Sequence, residues 1–91
     1  MVIVNLIADF DLPFVFSLKE RRKILNSIKQ KLKKFNVSVL DLSGEYPKTA
    51  SLAIVYASAN TQKAYEIKTT IEEYLFRHFP EIEFIFDVEI I

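Results

Sequence analysis

Residues 81–91 read EIEFIFDVEII, and this stretch decides the fold because its alternation is the most regular in the chain. Apolar side chains alternate along it with mostly acidic ones, which is the pattern of a strand with one face in a core and one in solvent. Pro80 precedes it and requires any helix before it to end by Phe79. The last predicted element is therefore a β-strand over 81–91.

The segment before Pro80 has the spacing of an amphipathic helix. Asn60 is a favourable N-cap residue, and apolar residues recur after it every three or four positions. We therefore predict a helix over 60–78. Its inner stripe comprises Ala64, Ile67, Ile71, Tyr74, Leu75 and His78. The only histidine in the chain is thus expected to be packed rather than catalytic.

Two shorter apolar segments precede that helix, over 37–42 and 49–58. Both are rich in β-branched and other apolar residues. The only glycine and a proline lie between them in 43–47, which predicts a turn there. Strands so close in sequence pair as an antiparallel hairpin.

The first third of the chain repeats the order of strand and helix. Residues 2–11 alternate with a period of two, and Pro13 ends the strand that they predict. Ser17 and Glu20 have the spacing of a capping box at the start of a helix predicted over 17–34. The inner stripe of this helix comprises Leu18, Ile24, Leu25, Ile28, Leu32 and Phe35.

The resulting order is β-α-β-β-α-β in a single domain over 1–91. This order predicts an α+β, ferredoxin-like βαββαβ sandwich, with two helices on one face of a four-stranded antiparallel sheet. No helix covers the other face, which carries Ile3, Ile7, Ala53, Val55 and Ile85. A contiguous apolar surface is typical of an interface. We expect a homo-oligomer, most simply a dimer, that forms through this face or an edge strand. The alternative is that the surface is apolar but forms no interface.

The composition excludes several kinds of chemistry. The chain of 91 residues has no cysteine, so disulfides and thiolate catalysis are excluded. It also lacks a glycine-rich phosphate loop and a convincing Ser-His-Asp set. We therefore expect a non-enzymatic protein without cofactor or metal. The chain shows neither a signal peptide nor an apolar run long enough for a membrane helix, so we expect it in the cytoplasm with no membrane partner.

Charge is distributed unevenly although the formal net charge is zero. Residues 17–34 contain eight basic residues and one acid, a local charge of +7 that the rest of the chain balances. Like charges along one helix repel each other, and phosphate groups would neutralise them. This predicts a nucleic-acid-binding surface, with a solvated helix face as the alternative. The residues of the predicted surface are Lys19, Arg21, Arg22, Lys23, Lys29 and Lys33.

Within this helix, Arg22, Asn26, Lys29 and Lys33 fall on one line, which we call the basic stripe. Arg21 is set apart from it, because its helical angle lies at the centre of the apolar arc. A buried arginine is rare unless it is paired. One interpretation is an ion pair with Asp9 or Asp11 near the end of the first strand; the other is a role facing a ligand.

The stretches SLKERRKIL at 17–25 and FNVSV at 35–39 resemble the YlxP-like family of small bacterial proteins of unknown function. The resemblance implies a ferredoxin-like domain. Genes of that family often lie among translation and ribosome-maturation factors, which makes structured or ribosomal RNA the expected partner and DNA an unexpected one. The chain departs from the family before the third strand, where a Trp-Gln-basic step is replaced by Tyr46, Pro47 and Lys48.

Two functions from different classes follow from these observations. In the first, the basic helix contacts RNA phosphates. In the second, the protein is a homo-oligomeric regulatory or structural domain that binds a small ligand or a protein through its open sheet face, and the basic helix serves solubility alone.

Overall fold

The computed structural model describes residues 1–44 and 48–91, and the order of its elements is the predicted one. A single turn of 3-10 helix, Lys33–Phe35, follows the first helix. The predicted turn at 43–47 lies partly outside the described residues. The elements are β1 (Val2–Asp11), α1 (Leu18–Leu32), β2 (Ser38–Asp41), β3 (Thr49–Ser58), α2 (Thr61–His78) and β4 (Phe84–Ile90).

The four strands form one antiparallel sheet in the order β2-β3-β1-β4. The two long strands β1 and β3 pair along their whole length and occupy the centre, while β2 and β4 form the edges. Leu40 of β2 lies opposite Ala53 of β3, which confirms the predicted hairpin. The ferredoxin-like arrangement, with two helices against a four-stranded antiparallel sheet, is thereby confirmed.

The core lies between the helices and one face of the sheet. In β1 the alternation is exact from Val4 to Phe10, where every second side chain is buried. Each fully buried leucine or isoleucine stabilises the fold by about 1.5–3 kcal/mol. The core residues contributed by β1 and the helices are Val4, Leu6, Ala8, Phe10, Leu25, Ile28, Leu32, Ala64, Ile71 and Leu75.

Side-chain caps start both helices at the predicted residues. The Ser17 hydroxyl accepts the Glu20 N–H at 3.1 Å, and the Asn60 Oδ1 accepts the Lys63 N–H at 2.8 Å. The second half of the capping box differs from the prediction, because the Glu20 carboxylate accepts from the Ser17 hydroxyl, at 3.4 Å, instead of reaching the backbone.

The helices end by different means. After the 3-10 turn, Asn36 takes a left-handed conformation with φ 56° and ψ 49°, the one positive φ of a non-glycine residue among the described positions. Asparagine tolerates this region better than most residues, and it commonly ends helices there. Helix α2 ends at His78, as Pro80 requires.

Three details differ from the sequence predictions. Strand β4 begins at Phe84 rather than residue 81, because a turn closed by the Ile82 N–H and the Phe79 carbonyl occupies that place. Leu18 is 46% exposed, since it lies at the rim of the apolar arc. His78 is exposed instead of packed, because the Tyr74 ring, 4.1 Å away, takes the inner position against Phe35.

Candidate nucleic-acid interface

The side chain of Arg21 shows how α1 lies on the sheet. Its Nε donates to the Thr49 carbonyl at 3.4 Å, and its Nη1 lies 3.9 Å from Oδ2 of Asp41. The predicted partners Asp9 and Asp11 were wrong. Both are exposed in β1. Helix α1 instead lies beside the edge strand β2, so its first inner residues are close to the end of that strand. The expected ion pair exists, with Asp41 as the acid.

The guanidinium of Arg21 is buried but poorly satisfied. Its side chain is only 10% exposed, and Nη2 has no hydrogen-bond partner within the described part of the chain. An arginine offers five N–H donors, and burial of its charge is costly unless they are paired. The remaining donors therefore represent unused binding capacity close to the surface.

Asp41 is held as a carboxylate. Burial by itself would raise its pKa, but hydrogen bonds from Ser43 and the positive charges of Arg21 and Lys29 outweigh that effect and lower the pKa below its usual value. The Ser43 N–H donates to Asp41 Oδ1 at 2.8 Å, so one oxygen of the carboxylate is committed to the start of the loop that leads to β3.

A groove of about 450 Å³ separates α1 from the edge strand β2. It brings together three of the six predicted site residues: Arg21, Arg22 and Lys29. Asp41 is the one acid among the described lining residues, so these residues carry an excess of positive charge. Its lining comprises Leu18, Arg21, Arg22, Leu25, Asn26, Lys29, Asp41 and Gly44.

The other predicted site residues lie outside the groove. Lys19 and Lys23 are exposed on α1, and Lys33 is exposed in the following 3-10 turn. Of the residues that line the groove, Arg22 is also exposed, while Lys29 is half-buried. The predicted surface thus consists of a groove and a solvated outer face on the same helix.

Two further lysines contact aromatic rings. Lys34 Nζ lies 4.3 Å from the ring centre of Tyr74 in α2, and Lys48 Nζ lies 4.6 Å from that of Phe16. These two lysine–aromatic pairs were not predicted from the sequence, because each joins residues that are distant in the chain.

Partial desolvation and then the charges of Lys31, Arg77 and Lys34 lower the pKa of His78.

The open face of the sheet has an apolar half and a mixed half, in which Ile85, 68% exposed, lies beside acids. Leu40 and Leu42, at the β2 edge, are 62% and 51% exposed. Ile7 and Val55, in the central strands, are half-buried. On the other side Asp87 of β4 lies opposite Ile7. Leu40 and Leu42 were not predicted on this face, although their spacing of two in a predicted strand could have placed them there.

Other kinds of site find no support in the part of the chain that the structure describes. No group of three or more histidine and acidic side chains there could hold a metal ion. Within residues 1–44 and 48–91, no helix is long and apolar enough to cross a membrane.

Solved structures of designed proteins are similar to the whole chain. The de novo designed protein LFR1 1, with a ferredoxin fold, has a TM-score of 0.59 at 15% identity, covering 98% of this chain and 86% of that chain. The de novo designed protein Foldit4 has a TM-score of 0.56 at 10% identity, covering 97% and 94%. Likeness at such low identity shows the fold alone.

Sequence comparison shows the family. No curated protein matches the chain. The model of the family described as "Protein of unknown function (DUF503)" matches residues 3–89, which is nearly the whole sequence. The chain therefore belongs to the DUF503 family of proteins of unknown function.

Proposed function

We propose that this protein is a non-enzymatic cytoplasmic domain that binds the phosphate backbone of structured RNA through α1, without reading its bases. The observation that carries the proposal is the concentration of eight basic residues and one acid in 17–34. Among the described residues, none of Lys19, Arg22, Lys23, Lys29 and Lys33 forms an ion pair. Their charges are thus available to an external anion.

The resemblance to the YlxP-like family supports ribosomal RNA as the partner, and we propose that the chain is YlxP-like. Each phosphate that a lysine or arginine neutralises releases condensed counterions, so the affinity should fall steeply with salt. Contacts to phosphates position a protein without reading bases, so we expect little sequence preference and no dedicated DNA site.

The test is charge reversal in the basic stripe. In the triple variant Arg22→Glu, Lys29→Glu and Lys33→Glu, RNA binding should weaken while the fold is kept, because these side chains lie outside the core. For about three contacts to a single strand, the log-log salt slope of the parent should be near −2, at about −0.7 per contact. Filter binding of both proteins at several salt concentrations measures the affinities and the slope.

A matched control reverses two exposed charges in α2, Lys63→Glu and Arg77→Glu, and is compared with Arg22→Glu and Lys33→Glu in the stripe, which change the net charge equally. The control should retain most of the RNA affinity if the position of the charges matters. Equal affinity of the parent and the stripe variant would overturn the proposal, as would equal losses in the two double variants.

The open sheet face supports a second candidate, a homo-oligomeric regulatory or structural domain. The specific observation is that Leu40 and Leu42 expose more than half of their surface beside half-buried Ile7 and Val55. Under this proposal a second copy covers the apolar half of the face, and a small ligand or protein could use the same surface. Large exposed apolar patches are typical of such interfaces.

The oligomeric state tests the second candidate. Light scattering at high micromolar concentration should show a dimer for the parent and a monomer for Ile7→Lys, with Tyr65→Lys on α2 as a control that stays dimeric. A monomeric parent at that concentration would exclude this candidate.

A further inference from the structure

We infer that the groove between α1 and β2 is a binding site for one phosphate monoester group, held by Arg21, Arg22 and Lys29. The inference rests on the proposed function and deepens it, because it assigns one position on the RNA-binding surface to a terminal phosphate. Its basis is the unfilled bonding capacity of Arg21 together with the excess charge of the groove.

The first step concerns the donors of Arg21. Only Nε makes a hydrogen bond within the described residues, and at 3.4 Å that bond is long. Nη1 is 3.9 Å from Asp41, beyond hydrogen-bond distance, and Nη2 has no partner in residues 1–44 and 48–91. Asp41 cannot fully satisfy the guanidinium, because its Oδ1 accepts the Ser43 N–H at 2.8 Å. An oxyanion in the groove would supply the missing acceptors after a small adjustment of this side chain.

The second step concerns charge. Among the described residues that line the groove, Arg21, Arg22 and Lys29 provide three positive charges against the carboxylate of Asp41. The excess of two matches the charge of a phosphate monoester, which is close to −2 at neutral pH, better than that of a singly charged phosphodiester. A guanidinium group can also donate two parallel hydrogen bonds to two oxygens of one phosphate.

The third step concerns the space in the groove. The volume of about 450 Å³ is larger than a phosphate ion requires. Leu18 and Leu25 form its apolar wall, against which the carbon atoms of an attached sugar could pack. The end of an RNA chain and a free mononucleotide present the same monoester, so the experiment separates the two sources.

Binding is measured by NMR on the ¹⁵N-labelled full chain, with inorganic phosphate as the probe and sodium chloride at equal ionic strength as the reference. Phosphate should shift the Arg21 Nε–H and Gly44 amide signals to saturation. Each of Arg22→Gln and Lys29→Gln should weaken binding by about fivefold or more, the effect of losing one charge-assisted contact. Lys31→Gln, on the same helix but outside both the groove and the predicted surface, should leave the affinity unchanged. None of these three variants alters a core residue.

Two oligonucleotide arms identify the source of the phosphate. An RNA with a 5′ phosphate that binds more tightly than the same RNA with a 5′ hydroxyl places an RNA end in the groove. Equal affinities, together with saturable binding of inorganic phosphate, assign the groove to a free phosphate monoester such as a mononucleotide.

Identical shifts with chloride, shifts that do not saturate, or equal losses in Lys31→Gln and Lys29→Gln would overturn the inference. Its failure is distinguishable from failure of the proposed function. If the parent protein binds RNA but not phosphate, and the stripe variant loses RNA binding, the groove site alone is refuted. If the parent protein binds phosphate but not RNA, the proposed function alone is refuted.

Discussion

Asp41 links two structural units through one carboxylate. One oxygen accepts the Ser43 N–H, and the other faces Arg21 of α1. The carboxylate therefore joins the end of β2 to the first turn of α1. Because Asp41 is partly exposed, solvent screens its interaction with Arg21, and the hydrogen bond should account for most of its effect on stability.

We predict that Asp41→Ala lowers the free energy of unfolding by about 1 kcal/mol at neutral pH, because the Ser43 N–H then loses its acceptor. The pKa of Asp41 is lower in the folded protein than the ordinary value of 3.8. The contribution of the carboxylate is therefore complete above that value and is lost as the pH falls through the lower folded pKa. Urea unfolding at pH 7 and at acidic pH checks this. A difference between parent and variant that stays constant into strong acid would contradict the prediction.

Asn36 occupies the left-handed region after α1. The effect of a substitution there on stability should depend on the backbone conformation alone. We predict that Asn36→Ala lowers the free energy of unfolding by about 1 kcal/mol, because a Cβ without a compensating polar group is unfavourable at this φ. The matched variant Asn36→Gly should match or exceed the parent in stability. Thermal unfolding of the three proteins gives the order, and an alanine variant as stable as the glycine variant would disprove the reasoning.

The contact between β3 and α2 depends on a buried hydroxyl. Tyr56 donates to the Ala64 carbonyl at 3.0 Å, near the start of the helix that Asn60 caps. Burial, and then the negative charge of Glu72, raise the pKa of Tyr56 above its ordinary value of 10.0. The strand thus fixes the first turn of the helix through a neutral hydrogen bond.

We predict that Tyr56→Phe lowers the free energy of unfolding by about 1 kcal/mol, while Tyr65→Phe, at an exposed position of α2, has little effect. Since the folded pKa of Tyr56 is raised, the contribution of its hydroxyl is present below pH 10 and is lost as the pH rises through the folded pKa. Denaturant unfolding of both variants decides. Equal losses for the two substitutions would show that the buried hydrogen bond is not the cause.

The sequence predicted the elements more fully than their contacts. Alternation and capping depend on residues close in the chain, which is why β1, the hairpin and both helix starts were correct. The partner of Arg21 was wrong, because the side to which α1 crosses depends on the strand order. The basic residues of α1 were identifiable from charge alone. The groove was not, since it forms only when α1 packs beside β2.

The whole molecule combines zero net charge with strong local fields. Its basic helix carries +7 in 17–34, and acids such as Asp87 and Glu89 lie on the strand at the far edge of the sheet from β2. The edge strands β2 and β4 are three strand spacings apart, a distance of about 14 Å. This separation exceeds the screening distance of about 10 Å at 0.1 M salt, so each region interacts with its surroundings according to its local charge.

This charge separation has a consequence for handling the protein in the laboratory. Near neutral pH and low salt, the chain should be retained by both cation-exchange and anion-exchange resins, although its isoelectric point is near 6.6. The stripe variant should lose retention on the cation exchanger and keep it on the anion exchanger. Opposite poles of neighbouring molecules attract each other, so solubility should rise when salt is first added. A dilute low-salt buffer, ordinarily the gentle choice, is therefore the condition most prone to precipitate this protein.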